Sequence, residues 1–202
     1  VGVLASGRGS NLAALVAAAK AAAFPAAVVA VASNRPACPA LELARSAGIP
    51  CRAFPARDFG GDPKARDSAL AEWLAGHGVE ILVLAGYDRI LSEPLLSAFP
   101  GRILNLHNSL LPAFAGTMNA VEQALEYGVK LTGCTVHIVD PRAVDGGPIV
   151  LQAAVAVEDD DTPTTLLQRI HEQEWRILPH AVELLATDTL VVEGRRVRLR
   201  RC

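Results

Sequence analysis

Short apolar runs, each followed by a stretch of helical periodicity, dominate the first half of the chain. Val1–Ala5 is such a run, and it stops at Ser6-Gly7-Arg8-Gly9-Ser10-Asn11. The pattern then predicts an Ala-rich helix over Leu12–Ala23 and a buried strand over Ala26–Ala32. A helix over 39–47, stopped by Gly48, and a third short strand over 50–54 follow. Next come an amphipathic helix over 64–75, a strongly apolar strand over Val79–Ala85, a short helix over Ser92–Ala98 with Ser92 as N-cap, and a strand over Arg102–Leu106. Strands that read as continuous apolar runs are covered on both faces. Their alternation with helices through residue 106 therefore predicts a parallel sheet with helices on either side.

Beyond that point the texture changes. Residues 108–116 form a loop containing Pro and Gly, 118–127 a helix, and Leu131–Val139 and Ile149–Val157 two strands around a Gly-rich loop. Pro163–Ala186 is a long helix, and 189–199 reads as a hairpin turning at Glu193-Gly194. The expected class is α/β: a doubly wound, mostly parallel, Rossmann-like sheet with a C-terminal antiparallel extension and a long helix. No internal repeat and no long linker interrupts the chain, so 1–202 is expected to be one domain.

Composition changes this picture little. Hydrophobic residues make up 51% and aromatics only 4%, so the core is expected to be built from Ala, Val, Leu and Ile. A net charge of −2 asks for neither nucleic acid nor an anionic membrane. The Arg-rich end from Arg195 to Arg201 alternates with Val and Leu and reads as one solvated face, with Arg200-Arg201-Cys202 as a frayed tail. The longest apolar stretches, 12–19 and 26–32, fall short of the roughly 20 residues that span a bilayer. No signal peptide is visible, and because the chain opens on Val1 inside a strand, a few residues including the initiator are expected to precede it. The cysteines at 38, 51, 134 and 202 form no C-x-x-C pair and have no His at ligand spacing, so no metal is expected. Reduced thiols in a cytoplasmic protein are the expectation.

Three segments carry candidate chemistry. The loop Ser6–Leu12 joins the first strand to the first helix, where free N–H groups and the helix dipole favour an anion such as phosphate. Ser10 is placed to cap the helix and bond a phosphate oxygen. The loop is no Walker A motif, and as a dinucleotide fingerprint it lacks the third glycine, Leu12 standing there. No acidic residue closes the second strand; Ser33-Asn34-Arg35 stands instead, and an Arg there suits the 2′-phosphate of NADP. In Asn105-Leu106-His107, the amide and the imidazole point to the same side of a strand end. That pairing suits an oxyanion and a proton transfer. The glycine-flanked Asp145 is the carboxylate that would favour the charged form of His107. Asp140, just before Pro141, competes with it but suits a turn, and His137 on the preceding strand suits a structural or supporting role.

The segments S-G-x-G-S-N-L at 6–12, L-A-G-Y-x-R-I-L at 84–91, N-L-H-x-S-L-L-P at 105–112, V-D-G-G-P-I at 144–149 and Q-E at 173–174 stand in this order along nearly the whole chain. In them the chain resembles the phosphoribosylglycinamide formyltransferases, a folate-dependent family of purine synthesis. The resemblance implies a formyltransferase domain with a nucleotide- or phosphate-binding half, 1–106, and a catalytic and folate-binding half, 107–202. It implies that Gly9, Ser10 and Asn11 hold the substrate phosphate and that Glu174 meets the ribose. Asp88, Arg89, Ile90 and Leu91 would cradle the pterin of 10-formyltetrahydrofolate largely through backbone groups, with Asn105, Val139, Asp140 and Lys64 also at the folate. Asn105, His107 and Asp145 would be the catalytic trio. Phosphoribosylglycinamide and the folate would be the small-molecule partners, with no nucleic acid, membrane or metal, in a monomer or homodimer.

The chain departs from that family's pattern at several points. Asn108 stands where a Pro usually follows the His, Ala115 replaces a Pro before the loop Gly, and Asp88 places a charge where an apolar side chain is usual. Residues 116–120 and the Asp145 loop each read as one residue longer, and Pro63 falls near a family Arg for which Lys64 or Arg66 would substitute. Three alternatives stay open: a formyltransferase for another amine or a formyltetrahydrofolate hydrolase, a binding protein without turnover, and an NADP-dependent reductase.

Overall fold

The computed structural model describes residues 1–200; the expectations for Arg201 and Cys202 lie outside the described residues. Its strands follow the order β3-β2-β1-β4-β5-β6-β7 in one sheet, with a separate two-stranded β8-β9 sheet. The chain divides into two compact units, Val1–Leu104 and Asn105–Cys202.

In the first unit, β1 (Gly2–Leu4), β2 (Ala30–Ser33), β3 (Cys51–Ala53) and β4 (Leu82–Leu84) run parallel. The helices are α1 (Ser10–Ala18), α2 (Pro39–Ser46), α3 (Pro63–Gly76) and α4 (Glu93–Ala98). β1, β2 and β4 are buried along their whole length, which is why they read as unbroken apolar runs. The paired parts are shorter than the apolar runs because β1 supplies only three laddered residues, Gly2↔Ala30 to Leu4↔Ala32. α1 also ends earlier than its alanines suggest: Ala21 and Phe24 donate to i−3 carbonyls, and Pro25 disfavours helix in the residue before it. A 3-10 turn at Ala56–Phe59 has no clear mark in the sequence.

Ser92 stands at the N-cap position of α4, but its side chain makes no cap bond, contrary to expectation. Its Oγ instead donates to Asp67 Oδ2 at 2.8 Å, with Pro63 O a competing acceptor at 3.1 Å, while its N–H donates to the same Asp67 oxygen at 2.6 Å. Asp67 is fully buried and also takes Arg66 Nε on Oδ1 at 2.8 Å. A buried carboxylate is tolerable only with such partners, and a larger stabilisation elsewhere recruits the hydroxyl away from the helix end.

The second unit begins within β5 (Ile103–His107) and contains α5 (Ala120–Tyr127), the antiparallel pair β6 (Leu131–Ile138) and β7 (Ile149–Ala156), and α6 (Pro163–Ala186). β8 (Leu190–Glu193) and β9 (Arg196–Leu199) form the expected hairpin. Arg200, expected in a frayed tail, extends it by donating its N–H to Thr189 O at 2.7 Å. The β6–β7 register slips between Val136 and His137, with Val136 opposite Leu151 and His137 opposite Ile149. Such a bulge bends the pair and re-aims the side chain beside it. α6 starts at a capping box in which Thr162 and Thr165 bond each other's backbone N–H. It packs on β6 and β7 through a row at i+4 spacing, Leu166, Ile170, Glu174, Leu178 and Val182, all buried. One member of that apolar row is a carboxylate.

Removing the Asp67 carboxylate should strand the buried Arg66 guanidinium and unpin the start of α4. Asp67→Ala is expected to cost about 3–5 kcal/mol of stability in urea unfolding, the usual cost of breaking a buried charge pair from one side; a loss of about 0.5 kcal/mol would show the pair to be incidental.

Candidate active site

In the first unit the glycine loop follows β1. Gly9, with φ 85°, is the N-cap of α1, so Ser10 is the first helical residue and makes no side-chain cap bond, a correction to its expected capping role. A side chain at Gly9 would also collide with Ala40, whose Cα and Cβ lie 3.0 Å from a built Cβ. The glycine thus lets α1 start close against α2. Asn11 is buried, whereas Gly9 and Ser10 are half-buried at the open helix start.

Asp88, expected near the pterin, uses its carboxylate otherwise. Oδ1 accepts from Asn34 Nδ2 at 2.8 Å and from Ser6 Oγ at 3.1 Å, and Oδ2 pairs with Arg35. The Asp88 N–H donates to Ser6 Oγ at 3.0 Å. Burial works against ionisation, but the bonds from Asn34 and Ser6 and the Arg35 charge outweigh it, holding the carboxyl below the ordinary carboxylate range. The segments after β1, β2 and β4 are thereby tied together at the carboxyl edge of the parallel strands, where open α/β sheets bind ligands. Arg35, the residue that suited an NADP phosphate, is engaged in this tie. Next to it Ile90 exposes 76% of its surface, Leu91 is buried, and Arg89 Nε lies 3.6 Å from Asp88 Oδ1. Lys64 is exposed in the first turn of α3. Arg66, the other residue considered for a folate contact, is committed to Asp67.

In the second unit Asn105, His107 and Asp145 converge. Asn105 Nδ2 donates to Asp145 Oδ1 at 3.1 Å, and His107 Nδ1 lies 3.4 Å from Asp145 Oδ2. His107 Nε2 lies 2.9 Å from Phe114 O; a carbonyl only accepts, so this nitrogen carries a proton. With a carboxylate facing Nδ1 and a carbonyl facing Nε2, the doubly protonated ring satisfies both neighbours. The Gly116 N–H donates to Asp145 Oδ2 at 2.8 Å. His137, beside the bulge, joins the group: its Nε2 is 3.1 Å from Asn105 Nδ2 and 3.5 Å from Asp145 Oδ1. Neutral, that nitrogen accepts from Asn105; protonated, it donates to Asp145. Burial disfavours the charged form of Asp145, but the His137 bond, the Gly116 N–H and the charges of both imidazoles more than offset it, and its carboxyl is held below the ordinary range.

The backbone makes this convergence possible. Asp145 has φ 51°, a conformation that Asp and Asn adopt more readily than most residues. Gly147 backs it so closely against β6 that an added Cβ would stand 1.7 Å from Ile138 O. Phe114 also has φ 53°, unusual for an aromatic, and it is the residue whose carbonyl meets His107. Phe114 and Gly116 were not identifiable as partners from the sequence; only the loop glycine hinted at an irregular backbone.

Asp140 turns out to close its own loop. Its carboxylate takes the N–H, Nε and Nη2 of Arg142 at 2.9, 2.9 and 2.7 Å, bonds that pull its pKa down to about 2. Val139 is half-buried before it. Glu174 is 1% exposed, and its Oε1 accepts from Asn108 Nδ2 at 2.5 Å. Among the described residues no group of three or more His, Cys, Asp or Glu is arranged to hold a metal ion, and no helix is long and apolar enough to cross a membrane. Cys38, Cys51 and Cys134 are free thiols; Cys202 lies outside the described residues.

The family model for formyl transferases matches residues 1–182. Among solved structures, glycinamide ribonucleotide transformylase 1 from Symbiobacterium toebii superposes with a TM-score of 0.94 at 48% identity, covering 98% of this chain and 92% of that one. The chain belongs to the formyl transferase family. Within it, its similarity over nearly the full length is to phosphoribosylglycinamide formyltransferases: that of Mycobacterium tuberculosis is 46% identical over 198 residues, 96% of this chain and 87% of that protein. The trifunctional purine biosynthetic protein adenosine-3 of Gallus gallus is 43% identical over 192 residues, and there the match spans only 19% of the longer protein.

Because Asp145 titrates below its unfolded value, it contributes stability that is fully present above about pH 4 and is lost as pH falls through its lower folded value. Asn at 145 tolerates the same φ but cannot ionise. The difference in Tm between wild type and Asp145→Asn should therefore shrink steadily below about pH 4; a gap that stays constant to pH 2.5 would contradict the charge argument.

Proposed function

We propose that the chain transfers the formyl group of 10-formyltetrahydrofolate to the amine of phosphoribosylglycinamide in purine biosynthesis. The observation that carries this reading is the convergence of Asn105 and His107 on Asp145, at 3.1 and 3.4 Å, in a chain of this family. The glycine loop, with Gly9, Ser10 and Asn11, is read as the phosphate holder, and Glu174 as the group that meets the ribose. The segment Asp88–Leu91 is read as the pterin cradle, its apolar ring surface offered by the exposed Ile90. Asp88 would serve there through its backbone carbonyl, its N–H being committed to Ser6 and its carboxylate to Ser6, Asn34 and Arg35. Val139, Asp140 and Lys64 remain candidate folate contacts. The protein acts in the cytoplasm as a monomer or homodimer in this reading.

The chemistry follows from what each side chain can donate. The neutral amine adds to the formyl carbon, and negative charge develops on the formyl oxygen. Asn105 offers an amide N–H and His107 an imidazolium N–H to that oxygen, which displaces their present bonds to Asp145 and Phe114. Such bonds commonly tighten only when the reacting species is bound. Asp145 orients the His107 ring and assists the proton's passage, through water, from the attacking nitrogen to N10. The bond between the formyl carbon and N10 then breaks, leaving formylated product and tetrahydrofolate. One donor aimed at a developing oxyanion is worth about 3–4 kcal/mol at the barrier.

A formyl-transfer assay with purified protein tests this. His107→Ala and Asp145→Asn should each lower kcat by about 10²–10³ while binding of inorganic phosphate persists. Unchanged turnover in the His107 variant rejects the mechanism, and equal formyl release with and without the sugar amine would make the chain a hydrolase.

A further inference from the structure

We infer that Arg195, at the tip of the C-terminal hairpin, is a positioning residue for the reaction, acting through the carbonyl of Gly146 to hold the loop that aims Asp145. This rests on the mechanism given above. β8 and β9 pair from Leu190↔Leu199 to Glu193↔Arg196, which leaves Gly194 and Arg195 as a two-residue turn. Gly194 has φ 61° at the first turn position, a backbone that tight hairpins use and that glycine adopts without strain. The turn presents the Arg195 side chain at the end of this ladder, and β9 packs on β7, the strand that leaves the Asp145 loop. The hairpin follows the stretch 1–182 that the formyl transferase model matches. Arg198, by contrast, pairs within the hairpin, its Nη2 3.5 Å from Glu193 Oε2.

From that tip Arg195 Nη1 donates to Gly146 O, on the residue directly after Asp145. The loop gains from an outside hold. Pro141, Arg142, Ala143 and Val144 are exposed, and Asp145 keeps its left-handed φ of 51°. On the inner side Gly147 lies against Ile138 O, where an added Cβ would stand 1.7 Å away, and the Gly146 N–H donates to Ala143 O at 3.2 Å. On the outer side the guanidinium takes the carbonyl between these two glycines. The chain just past Asp145 is thus fixed from both sides, and with it the direction in which the carboxylate leaves the backbone. A guanidinium suits this task, because it is always charged and its donors are set in one plane. Its charge reaches Asp140 as well: the hydrogen bonds from Arg142 chiefly, and the Arg195 charge in lesser part, hold that carboxyl at about 2. Arg195 takes a carbonyl beside Asp145, so it steadies the loop without competing for the oxygen that faces His107.

The test compares wild type, Arg195→Ala, Arg195→Lys, Asp145→Asn and the double variant Arg195→Ala/Asp145→Asn, with Arg198→Ala as a control for loss of a hairpin charge. Hydrogen exchange at short labelling times reads the loop, and formyl-transfer kinetics read the reaction. Arg195→Ala should raise exchange in peptides covering 139–148 and lower kcat about three- to tenfold, with KM for phosphoribosylglycinamide unmoved. Arg195→Lys should restore part of both, and Arg198→Ala should change neither. Because Arg195 acts through Asp145, adding Arg195→Ala to Asp145→Asn should lower kcat little further. Unchanged exchange in the loop, exchange raised throughout the chain, an unchanged kcat, or a double variant in which the two losses multiply would each overturn the role of Arg195. The two levels separate cleanly. If Asp145→Asn loses turnover and Arg195→Ala does not, only Arg195 fails. If Asp145→Asn keeps wild-type turnover, the mechanism itself fails, while exchange raised in the loop alone would still show that Arg195 holds it.

Discussion

A carboxylate in a nearly dry site must collect donors, and Asp145 collects them from four directions. The Asn105 amide, the Gly116 N–H and the imidazoles of His107 and His137 all come within 3.5 Å of its two oxygens. Little else in the second unit can move without disturbing this arrangement. β5 must end where its alternate residues face the carboxylate, the β6–β7 bulge must turn His137 inward, and the 110–117 loop must fold back far enough to bring Phe114 O and the Gly116 N–H to bear. The left-handed backbone at Asp145 and at Phe114 costs of order 1–3 kcal/mol per residue, and it persists because these bonds determine the local geometry several times over.

The first unit works under a different constraint. Parallel strands covered on both faces leave polar chemistry only at their ends, and Ser6, Asn34 and Asp88 all lie just past the carboxyl ends of their strands. A partly buried charge at 88 would be costly alone. With Arg35 and two neutral donors on it, the carboxylate becomes a tie that fixes the exits of three strands. The carboxylate and the N–H of the same residue thus hold the loops together.

Much of the fold was legible because short apolar strands and helical periodicity are local signals. The α/β alternation, the long α6 and the C-terminal hairpin were all readable, with α6 having the same limits in sequence and structure. Ladder ends were less so, since a strand is paired only as far as its neighbour reaches, as β2 against the three residues of β1 shows. In the site, Asn105 and His107 were visible from their two-residue spacing and Asp145 from its flanking glycines. The partners that complete the cluster were not, because they act through backbone atoms (Phe114 O, the Gly116 N–H) or through a register slip (His137), and neither leaves a residue-type signature. The pairings Ser92–Asp67, Arg35–Asp88 and Asn108–Glu174 join positions from 25 to 66 residues apart and depend on the tertiary fold alone.

The means by which each acidic side chain is neutralised separates structural sites from chemical ones. Asp67 is held by a guanidinium, which stays charged at any working pH, and by the N–H and hydroxyl of Ser92; none of these takes up or releases a proton near neutral pH. Asp140 is bound in the same manner by Arg142. Among the described residues no guanidinium bonds Asp145. Besides the Gly116 N–H it is held by two imidazoles and a side-chain amide, groups that can exchange partners or protons without unfolding anything. A permanent cation beside Asp145 would pin the carboxylate more firmly and compete with His107 for its oxygens. Among the described residues no Arg or Lys side chain bonds Asp145, whereas stability alone would be served better by the solution adopted at Asp67.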